Sequence, residues 1–450
     1  MPTPDAPEAS PVPTSARRQS LVWHRTDLRL EDNAAVQEAA AHPNPRACGV
    51  VCLPTEPSSQ LLPGIPRIGP RRMRFVLESV AALRTAWEAR GSTLLVVRGR
   101  PEQMVPELAA RLGVDRVVTA PCRAHDEVGE DERVAEGLRA VHVELVRRDE
   151  TTLLAPEDLP FSLDALPRVF SDFRRAVEKA LVLRSPTRAP AVFSPPDGAL
   201  ELAETWATPS LEELGLADPL DDPRSSFPFR GGRAEGLARL RCWLWDEDAL
   251  ARYKETRDGL AGTSFSSKLS PWLACGALSP REVVAEVRRY EAERVANEST
   301  YWLFFELLWR DYFHFWVRRW GARAFAGHGV LGRTSCGAQD GATFERWRRG
   351  ETGEPFVDAG MRELAATGYL SNRLRQNVAS WLARTAHVDW RWGAAWFESQ
   401  LVDYDVGPNW GNWQYVAGVG NDPRNRTFDV RAQADRYDPD GAYRRLWGGA

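Results

Sequence analysis

A chain of 450 residues exceeds what one compact core fills comfortably, so two or three domains are expected. With 43% hydrophobic and 27% charged residues the composition is that of a soluble globular protein, and a formal net charge of −4 excludes wholesale attraction to nucleic acid; such a partner would have to be met locally. Acids crowd 201–222 and arginines crowd 310–391. The six cysteines form no C-x-x-C and no Cys/His set with metal spacing, so neither a metal site nor a disulfide framework is indicated, and a reducing cytoplasm fits. No uncharged apolar run reaches membrane-spanning length, and no membrane partner is expected.

Residues 1–19 read as a disordered Pro/Ser/Ala tail without an apolar signal core. Over 20–150, short β-type runs at Leu21–His24, Ala47–Leu53, Thr93–Val97, Arg116–Thr119 and Val141–Val146 alternate with helical patterns at Arg71–Arg90, Glu102–Leu112 and Glu127–Ala140. That is the rhythm of a doubly wound parallel sheet in an α/β domain. Sheets of this kind bind ligands at the carboxyl ends of their strands. No G-x-G-x-x-G and no Walker lysine loop is present, so neither common type of nucleotide site is expected there. His24-Arg25-Thr26-Asp27-Leu28-Arg29 follows the first strand and reads either as ligand-facing or as a set of domain-interface salt bridges, the commoner use of such charges. Glu127 opens a helix, where the macrodipole alone favours an acid.

Residues 151–232 are rich in Pro, Ser and Asp, with short helical pieces near Asp172–Leu183 and Ser210–Leu214. They read as a long connector over the surface, with no chemistry expected in it. From 233 to 450 the pattern is almost entirely helical, with apolar positions three and four apart. In Ser266-Ser-Lys-Leu-Ser270-Pro-Trp272, hydroxyls, one Lys and a Pro suited to a first turn meet at a loop-to-helix junction. This either offers backbone N–H groups to a phosphate or simply caps a core helix. The helix over 301–316 is apolar nearly all round and carries Trp302, Glu306, Trp309 and Phe313 on one stripe. A buried Glu is rare unless paired. Arg310, four residues on, is a structural partner for it; a carboxylate between two tryptophans also suits a planar, hydrogen-bonding guest.

The densest stretch is 369–424. On a helix over Ser371–Arg384, the residues Asn372, Arg375, Gln376 and Ala379 share one face. Asp403 and Asp405 follow, then an Asn-Trp-Gly-Asn-Trp turn at 409–413, with tryptophans at 381, 390, 392, 396, 410 and 413. An Arg375 pair with Asp403 or Asp405 would serve as a structural staple between helices. The large aromatics beside paired charges instead suit a flat, charged, aromatic ligand.

Taken together, VWHRTDLRLEDN at 22–33, FPFRGG at 227–232, YKETRDG at 253–259, SSKLSPWLACGALSPR at 266–281, FELLWRDYF at 305–313, GEPFVDAGMRELAATGYLSNRLRQNVAS at 353–380 and DYDVGPNWGNWQYVAGVGNDPR at 403–424 resemble the photolyase/cryptochrome flavoproteins, and within them the DASH-type cryptochromes. The resemblance implies an α/β antenna domain, a connector, and an all-helical domain gripping FAD. It places Tyr253 and Ser266, Ser267, Lys268, Leu269 and Ser270 at the phosphates and ribose. Asn372, Arg375, Asp403 and Asp405 fall at the cofactor, and Asn409 faces the flavin N5. Trp413 and then Trp390 become the first members of a tryptophan relay. For the substrate, a cyclobutane pyrimidine dimer flipped out of mainly single-stranded DNA, it implies Glu306 on a thymine edge and Trp309 and Tyr415 as flanking walls. Gln376 sits where the (6-4) branch would have a catalytic His. Arg257, Arg310 and Arg373 are implied phosphate-backbone contacts, and Glu127 matches the acid that holds a methenyltetrahydrofolate antenna.

The reaction so implied is a light-driven loan of an electron from FADH⁻ to the dimer, catalysed by a monomeric photo-lyase. The competing reading is a blue-light receptor that uses the same flavin and binds nucleic acid without repair. An FAD oxidoreductase is disfavoured because nothing resembles a nicotinamide site. Three departures stand out: Gly337 occupies the place of the exposed third tryptophan of the relay, Trp410 replaces a usual Tyr, and His314 replaces a usual Arg. The first predicts slow photoreduction by the usual path, or entry through Trp381, Trp392 or a tyrosine.

Overall fold

The computed structural model describes residues 18–54, 62, 64–149, 151–333, 337–421 and 427–448. The tail expected over 1–19 therefore lies outside the described residues except for Arg18 and Gln19, as do Cys336 and residues 422–424 of the last motif.

Five strands, β1 (Gln19–His24), β2 (Arg46–Leu53), β3 (Leu94–Arg98), β4 (Arg116–Thr119) and β5 (Glu144–Arg147), form one sheet in the order β3-β2-β1-β4-β5. Every pairing is parallel. Buried on both faces, β1 and β2 are nearly continuous apolar runs, as a parallel sheet between two helical layers requires. The helices are α1 (Ala34–Ala39), α2 (Pro70–Glu88), α3 (Pro101–Arg111) and α4 (His125–Ala140). One core places Val36, Met73, Leu77 and Trp87 against one face of the sheet, and another places Val105, Leu108, Val134 and Leu138 against the other. β5 begins later than the apolar run suggests, because Val141 ends α4 and His142 turns the chain with φ +59°. α1 was not expected from the sequence; Asn33 caps it, its Oδ1 accepting from the N–H of Ala35 and Val36.

The connector holds α5 (Phe170–Lys179), α6 (Ala199–Thr205) and short 3₁₀ turns. It is not confined to the surface. Leu153, Leu154, Phe170, Phe173 and Val177 enter the main helical core. Asp311, fully buried, accepts from the N–H of Leu153 at 3.0 Å and of Leu154 at 2.8 Å and so pins the connector to the helices.

The remainder is helical: α7 (Arg233–Arg241), α8 (Tyr253–Thr256), α9 (Ser270–Ala274), α10 (Pro280–Glu293), α11 (Glu298–Trp320), α12 (Gly341–Arg349), α13 (Pro355–Thr367), α14 (Asn372–Ser380), α15 (Trp390–Gln400), α16 (Val406–Ala417), α17 (Val430–Tyr437) and α18 (Ala442–Trp447). Two cores organise them, one around α10 and α11 and one around α13 to α16. The expected helix over Ser371–Arg384 is α14, N-capped by Ser371, running into a π-helical turn at Trp381–Thr385. Residues 409–413 are not a turn: they lie inside α16. The glycine that suggested one is there for contact, since a β-carbon at Gly411 would lie 2.1 Å from Phe313 Cδ1 of α11.

The charged segment after β1 is a domain interface. The Leu28 N–H donates to Cys275 O at 3.1 Å, Arg29 Nη1 donates to Gly276 O at 2.9 Å, and buried Asp32 pairs with buried Arg281 at 2.7 Å. Among the described residues no helix is long and apolar enough to cross a membrane.

Candidate active site

Between the two helical cores lies a cavity of about 580 Å³, lined from α8 and α9, α11, α14, and α15 with α16. That is the size of a site for an organic cofactor or drug-sized ligand. Tyr253, the whole Ser266–Ser270 segment, Glu306, Trp309, Asn372, Arg375, Gln376, Asp403, Asp405, Asn409, Trp413 and Tyr415 all reach it, as do Arg257 and Arg310. Trp390, Arg373 and Glu127 are not among its walls.

At one end the 266–270 segment is shaped by a residue that sequence reasoning missed. Buried Arg239 donates from Nε to Ser267 O at 2.9 Å and from Nη2 to Thr263 O at 2.8 Å and Ser266 O at 3.2 Å. Peptide planarity then turns the N–H groups of Ser267 and Lys268 away from Arg239. No side chain caps α9, which removes the helix-cap reading; the Ser270 hydroxyl donates instead to Asp403 Oδ2 at 2.6 Å. Lys268 adopts φ +55° and is 2% exposed, and its ammonium has no hydrogen-bond acceptor. It rests over the rings of Phe265 and Tyr369 at 3.6 and 5.1 Å, and burial pushes its pKa down to about 7. An orphaned buried cation beside free amides asks for an anion.

At the cavity floor Arg375 pairs with Asp403, its Nη2 lying 3.0 and 2.8 Å from the two oxygens, while its Nε donates to Leu370 O at 2.9 Å. Burial opposes the guanidinium charge, but the Asp403 carboxylate outweighs it and raises the pKa. The partner is thus Asp403 and not Asp405. Asp405 Oδ2 instead accepts from Arg310 Nε and from His314 Nε2, each at 3.0 Å. Burial drives His314 down to about 4, so it donates as a neutral imidazole. Arg310 also donates to Thr151 O and Leu273 O, each at 3.1 Å. Three of its five N–H donors are therefore taken inside the protein, and its acidic partner is Asp405 and not Glu306. Asn409 Nδ2 donates to Ala394 O at 3.1 Å, which fixes the amide so that Oδ1 remains as an acceptor.

At the mouth Glu306 accepts from Trp302 Nε1 at 3.1 Å and from Arg257 Nη1. Burial raises the Glu306 pKa and Arg257 works against that rise. Arg257 also lies over the Trp302 ring at 5.0 Å. Trp309 is stacked on Phe170 of the connector at 3.7 Å and 14°, and on Phe313 at 5.5 Å. The connector thus packs behind the mouth without lining the cavity itself. Arg373 joins Asp258 at 2.7 Å and holds Gln376 Oε1 at 2.9 Å.

Trp413 is 2% exposed and sits edge-on to Phe397 at 5.1 Å and Trp347 at 6.2 Å. Trp390 is buried, donates to Gly327 O at 3.0 Å and meets Trp410 at 5.7 Å. Glu127 is not part of this cavity's lining; it sits in the first turn of α4, where it accepts from the Ala124 N–H at 3.4 Å.

Fold and cavity together define a two-part protein: a five-stranded α/β domain carried on a helical domain that encloses a cofactor-sized cavity. Residues 302–448 match the FAD binding domain of DNA photolyase, and residues 20–192 match DNA photolyase. A cryptochrome DASH of Gloeobacter violaceus is 46% identical over 433 residues, covering 95% of this chain and 85% of that protein. The crystal structure of a Synechocystis cryptochrome superposes with a TM-score of 0.91 at 42% identity, over 96% of this chain and 88% of that one. A class III photolyase from Agrobacterium tumefaciens superposes with a TM-score of 0.80 at 28% identity, over 98% and 88% of the two chains. This chain belongs to the photolyase/cryptochrome family, among its DASH-type cryptochromes.

Proposed function

We propose that this chain is a photo-lyase that repairs cyclobutane pyrimidine dimers in mainly single-stranded DNA, acting as a cytoplasmic monomer. The observation that carries the proposal is that one cavity holds both sets of groups. The Arg375–Asp403 pair, the Asn409 acceptor and the unpartnered Lys268 lie within it, and the Glu306 carboxylate opens on it between Trp302 and Trp309. The donor set fits FAD: buried Lys268 and the amides beside it meet the anionic phosphates, and Asn409 Oδ1 accepts from a reduced N5–H without supplying a proton. Bound reduced FAD supplies the light-excited electron that opens the cyclobutane ring and is then returned.

The chain's own work is positional. Arg375 and Asp403 orient the ring system, and the buried cations favour its anionic form. Glu306 accepts from a thymine N–H once Arg257 is drawn to a phosphate of the strand. Trp309, backed by Phe170, and Tyr415 give the extruded pair apolar surfaces, worth ~1–3 kcal/mol per stacked base. Gln376, its Oε1 already taken by Arg373, presents only amide N–H and cannot act as a general acid, which suits ring opening and not oxygen transfer. Arg257 and Arg373 steer the DNA backbone. We extend the proposal to a folate antenna held at Glu127 in the α/β domain.

The test irradiates dimer-containing oligothymidine with the reduced protein under blue light and follows recovery of thymine absorbance. Recovery supports repair. Its absence, in protein that retains FAD, would leave the flavin serving a light sensor.

A further inference from the structure

Two consecutive residues that follow α8 reach opposite walls of the cavity mouth. Arg257 pairs with Glu306 of α11, and Asp258 Oδ1 accepts from Arg373 Nη2 of α14 at 2.7 Å. The Arg373 guanidinium is held firmly: besides Asp258 it has the Tyr437 ring of α17 beneath it at 4.5 Å, and its side chain is 14% exposed. From that fixed place its Nη1 donates to Gln376 Oε1 at 2.9 Å. A guanidinium offers only donors, so the oxygen of the Gln376 amide has to face it and the nitrogen turns the other way. Gln376 lines the cavity, and its Nε2 has no acceptor among the described residues.

On the opposite wall, the two donors that reach Glu306, Trp302 Nε1 at 3.1 Å and Arg257 Nη1, meet the same oxygen, Oε1. Among the described residues Oε2 has no donor. One wall therefore offers a bare acceptor and the other an oriented donor. A pyrimidine with a carbonyl at C4 complements that pair, since its N3–H donates and the oxygens on either side of it accept. Cytosine reverses two of the three positions: N3 carries a lone pair and C4 an amine. We propose that Asp258 and Arg373 are positioning residues that hold Gln376 as a donor, and that this donor, with Glu306, restricts the mouth to dimers of thymine or uracil and turns away those of cytosine.

The inference rests on the reading of this mouth as the place where a dimer lies. A site built around fixed donors and acceptors rejects an analogue that leaves them unpaired more strongly than it rejects one that merely lacks a methyl group. Thymine and uracil differ by such a methyl, which neither Gln376 nor Glu306 needs for its hydrogen bond. A cytosine dimer would then enter only after hydrolytic deamination: water adds at C4, ammonia leaves, and the ring keeps a C4 carbonyl and a proton on N3. That step needs no oxidant, and the saturated C5–C6 bond of a dimer removes the aromaticity that otherwise protects the amine. Repair downstream of it would hand on uracil in place of cytosine.

The experiment measures, in the dark, the affinity of FAD-loaded protein for single-stranded oligonucleotides of one length that carry a thymine dimer, a freshly prepared cytosine dimer, or the uracil dimer made from the latter by hydrolysis. Thymine and uracil dimers are expected to bind within about fourfold of each other, the worth of one methyl. The cytosine dimer should bind about 10- to 100-fold more weakly and recover as its amine is lost. Gln376→Met, which has no donor, and Asp258→Ala, which lets Arg373 and the amide turn, should each shrink the thymine-to-cytosine ratio, and Asp258→Glu should restore part of it. A ratio taken within one protein is insensitive to a general loss of folded material, so a merely structural role for Asp258 would lower both affinities alike. Equal affinity of the wild-type protein for thymine and cytosine dimers, or an unchanged ratio in both Gln376→Met and Asp258→Ala, would overturn the inference. Repair of the thymine dimer under blue light is read in the same samples: no repair with the ratio intact would count against the photo-lyase and leave the reading of the base edges standing.

Discussion

Replacing Asp403 by Asn removes the counter-charge of Arg375 with almost no change of shape. The carboxylate takes Arg375 Nη2 on both oxygens, at 3.0 and 2.8 Å, and the Ser270 hydroxyl at 2.6 Å. An amide keeps one acceptor and loses the charge. Breaking a buried pair in this way typically costs about 3–5 kcal/mol. Where the cost falls is set by exposure: Asp403 is 3% exposed, whereas Arg375 is 24% exposed and opens on the cavity. In the open protein, cavity water solvates the orphaned guanidinium and the loss of stability is modest. A flavin that expels that water makes the penalty a binding penalty. FAD affinity should therefore fall by about 10²- to 10³-fold, at 1.4 kcal/mol per decade, while the melting temperature of the flavin-free protein moves little. Oxidised flavin should lose more than the reduced form, whose anion is itself a counter-charge. Fluorescence titration of FAD, with thermal melts of the flavin-free protein, measures both quantities. Unchanged affinity in Asp403→Asn, or an equal loss of stability with and without FAD, would refute the assignment of this pair to the cofactor. Replacing both partners by apolar residues should destabilise the flavin-free protein less than the single change does.

Lys268 gives a pH dependence. Its folded pKa of about 7 lies below the ordinary lysine value, so folding expels a proton, and the destabilisation is complete below about 7 and relieved as pH rises toward the unfolded value. A bound phosphate raises that pKa, so FAD binding takes up a proton and should weaken as pH climbs above about 7; titrations in Lys268→Met should lose the slope. Gly411→Ala drives a methyl against Phe313, at 2.1 Å from Cδ1, and should cost about 1–3 kcal/mol by overpacking, read as a lower denaturation midpoint together with poorer FAD retention. Glu306→Gln should leave FAD content unchanged and reduce repair. Phe170→Ala, in the connector, should lower affinity for dimer-containing DNA by freeing Trp309, without altering the flavin spectrum.

Most of the sheet was legible because parallel strands buried on both faces are continuous apolar runs; β5, an edge strand with no buried residue, was expected to start at Val141 and starts at Glu144. α1 was not, since six residues are too few for a helical period to show and Asn33 alone marks its start. The face of α14 was legible for the opposite reason: Asn372, Arg375, Gln376 and Ala379 are polar or small where an ordinary helix would be apolar, and all four reach the cavity. Pairing was the weak point. Spacing offered Arg310 to Glu306, yet the acid that Arg310 meets lies 95 residues along the chain, and Glu306 takes Arg257 from 49 residues before it. Local spacing cannot rank such partners against those that folding brings in. Gly411 misled for a related reason: a glycine in a helix marks a close neighbour as readily as a turn, and only the packing of α16 on α11 separates the two.

Apart from Lys268, the charges around the cavity are joined in pairs before any ligand arrives, and the exposure of the carboxylates is graded. Arg310 and Asp405 are 13% and 10% exposed, and Asp403 is 3% exposed. Arg257 and Glu306 at the mouth are 23% and 30% exposed. The inner carboxylates were desolvated when the chain folded, so a ligand that meets them has little reorganisation of those groups left to drive. The mouth pair is still partly in water, and a competing phosphate can take Arg257 at small cost because the attraction between exposed partners is weak. A rigid floor thus receives what must be held permanently, while an exchangeable pair above it frees the Glu306 carboxylate only when a nucleic-acid backbone is there to claim the arginine. On that reasoning Arg257→Ala should weaken DNA binding and its salt dependence while leaving Glu306 unpaired and its pKa higher, so that the pH profile of repair shifts upward; an unshifted profile would show that Arg257 and Glu306 act independently.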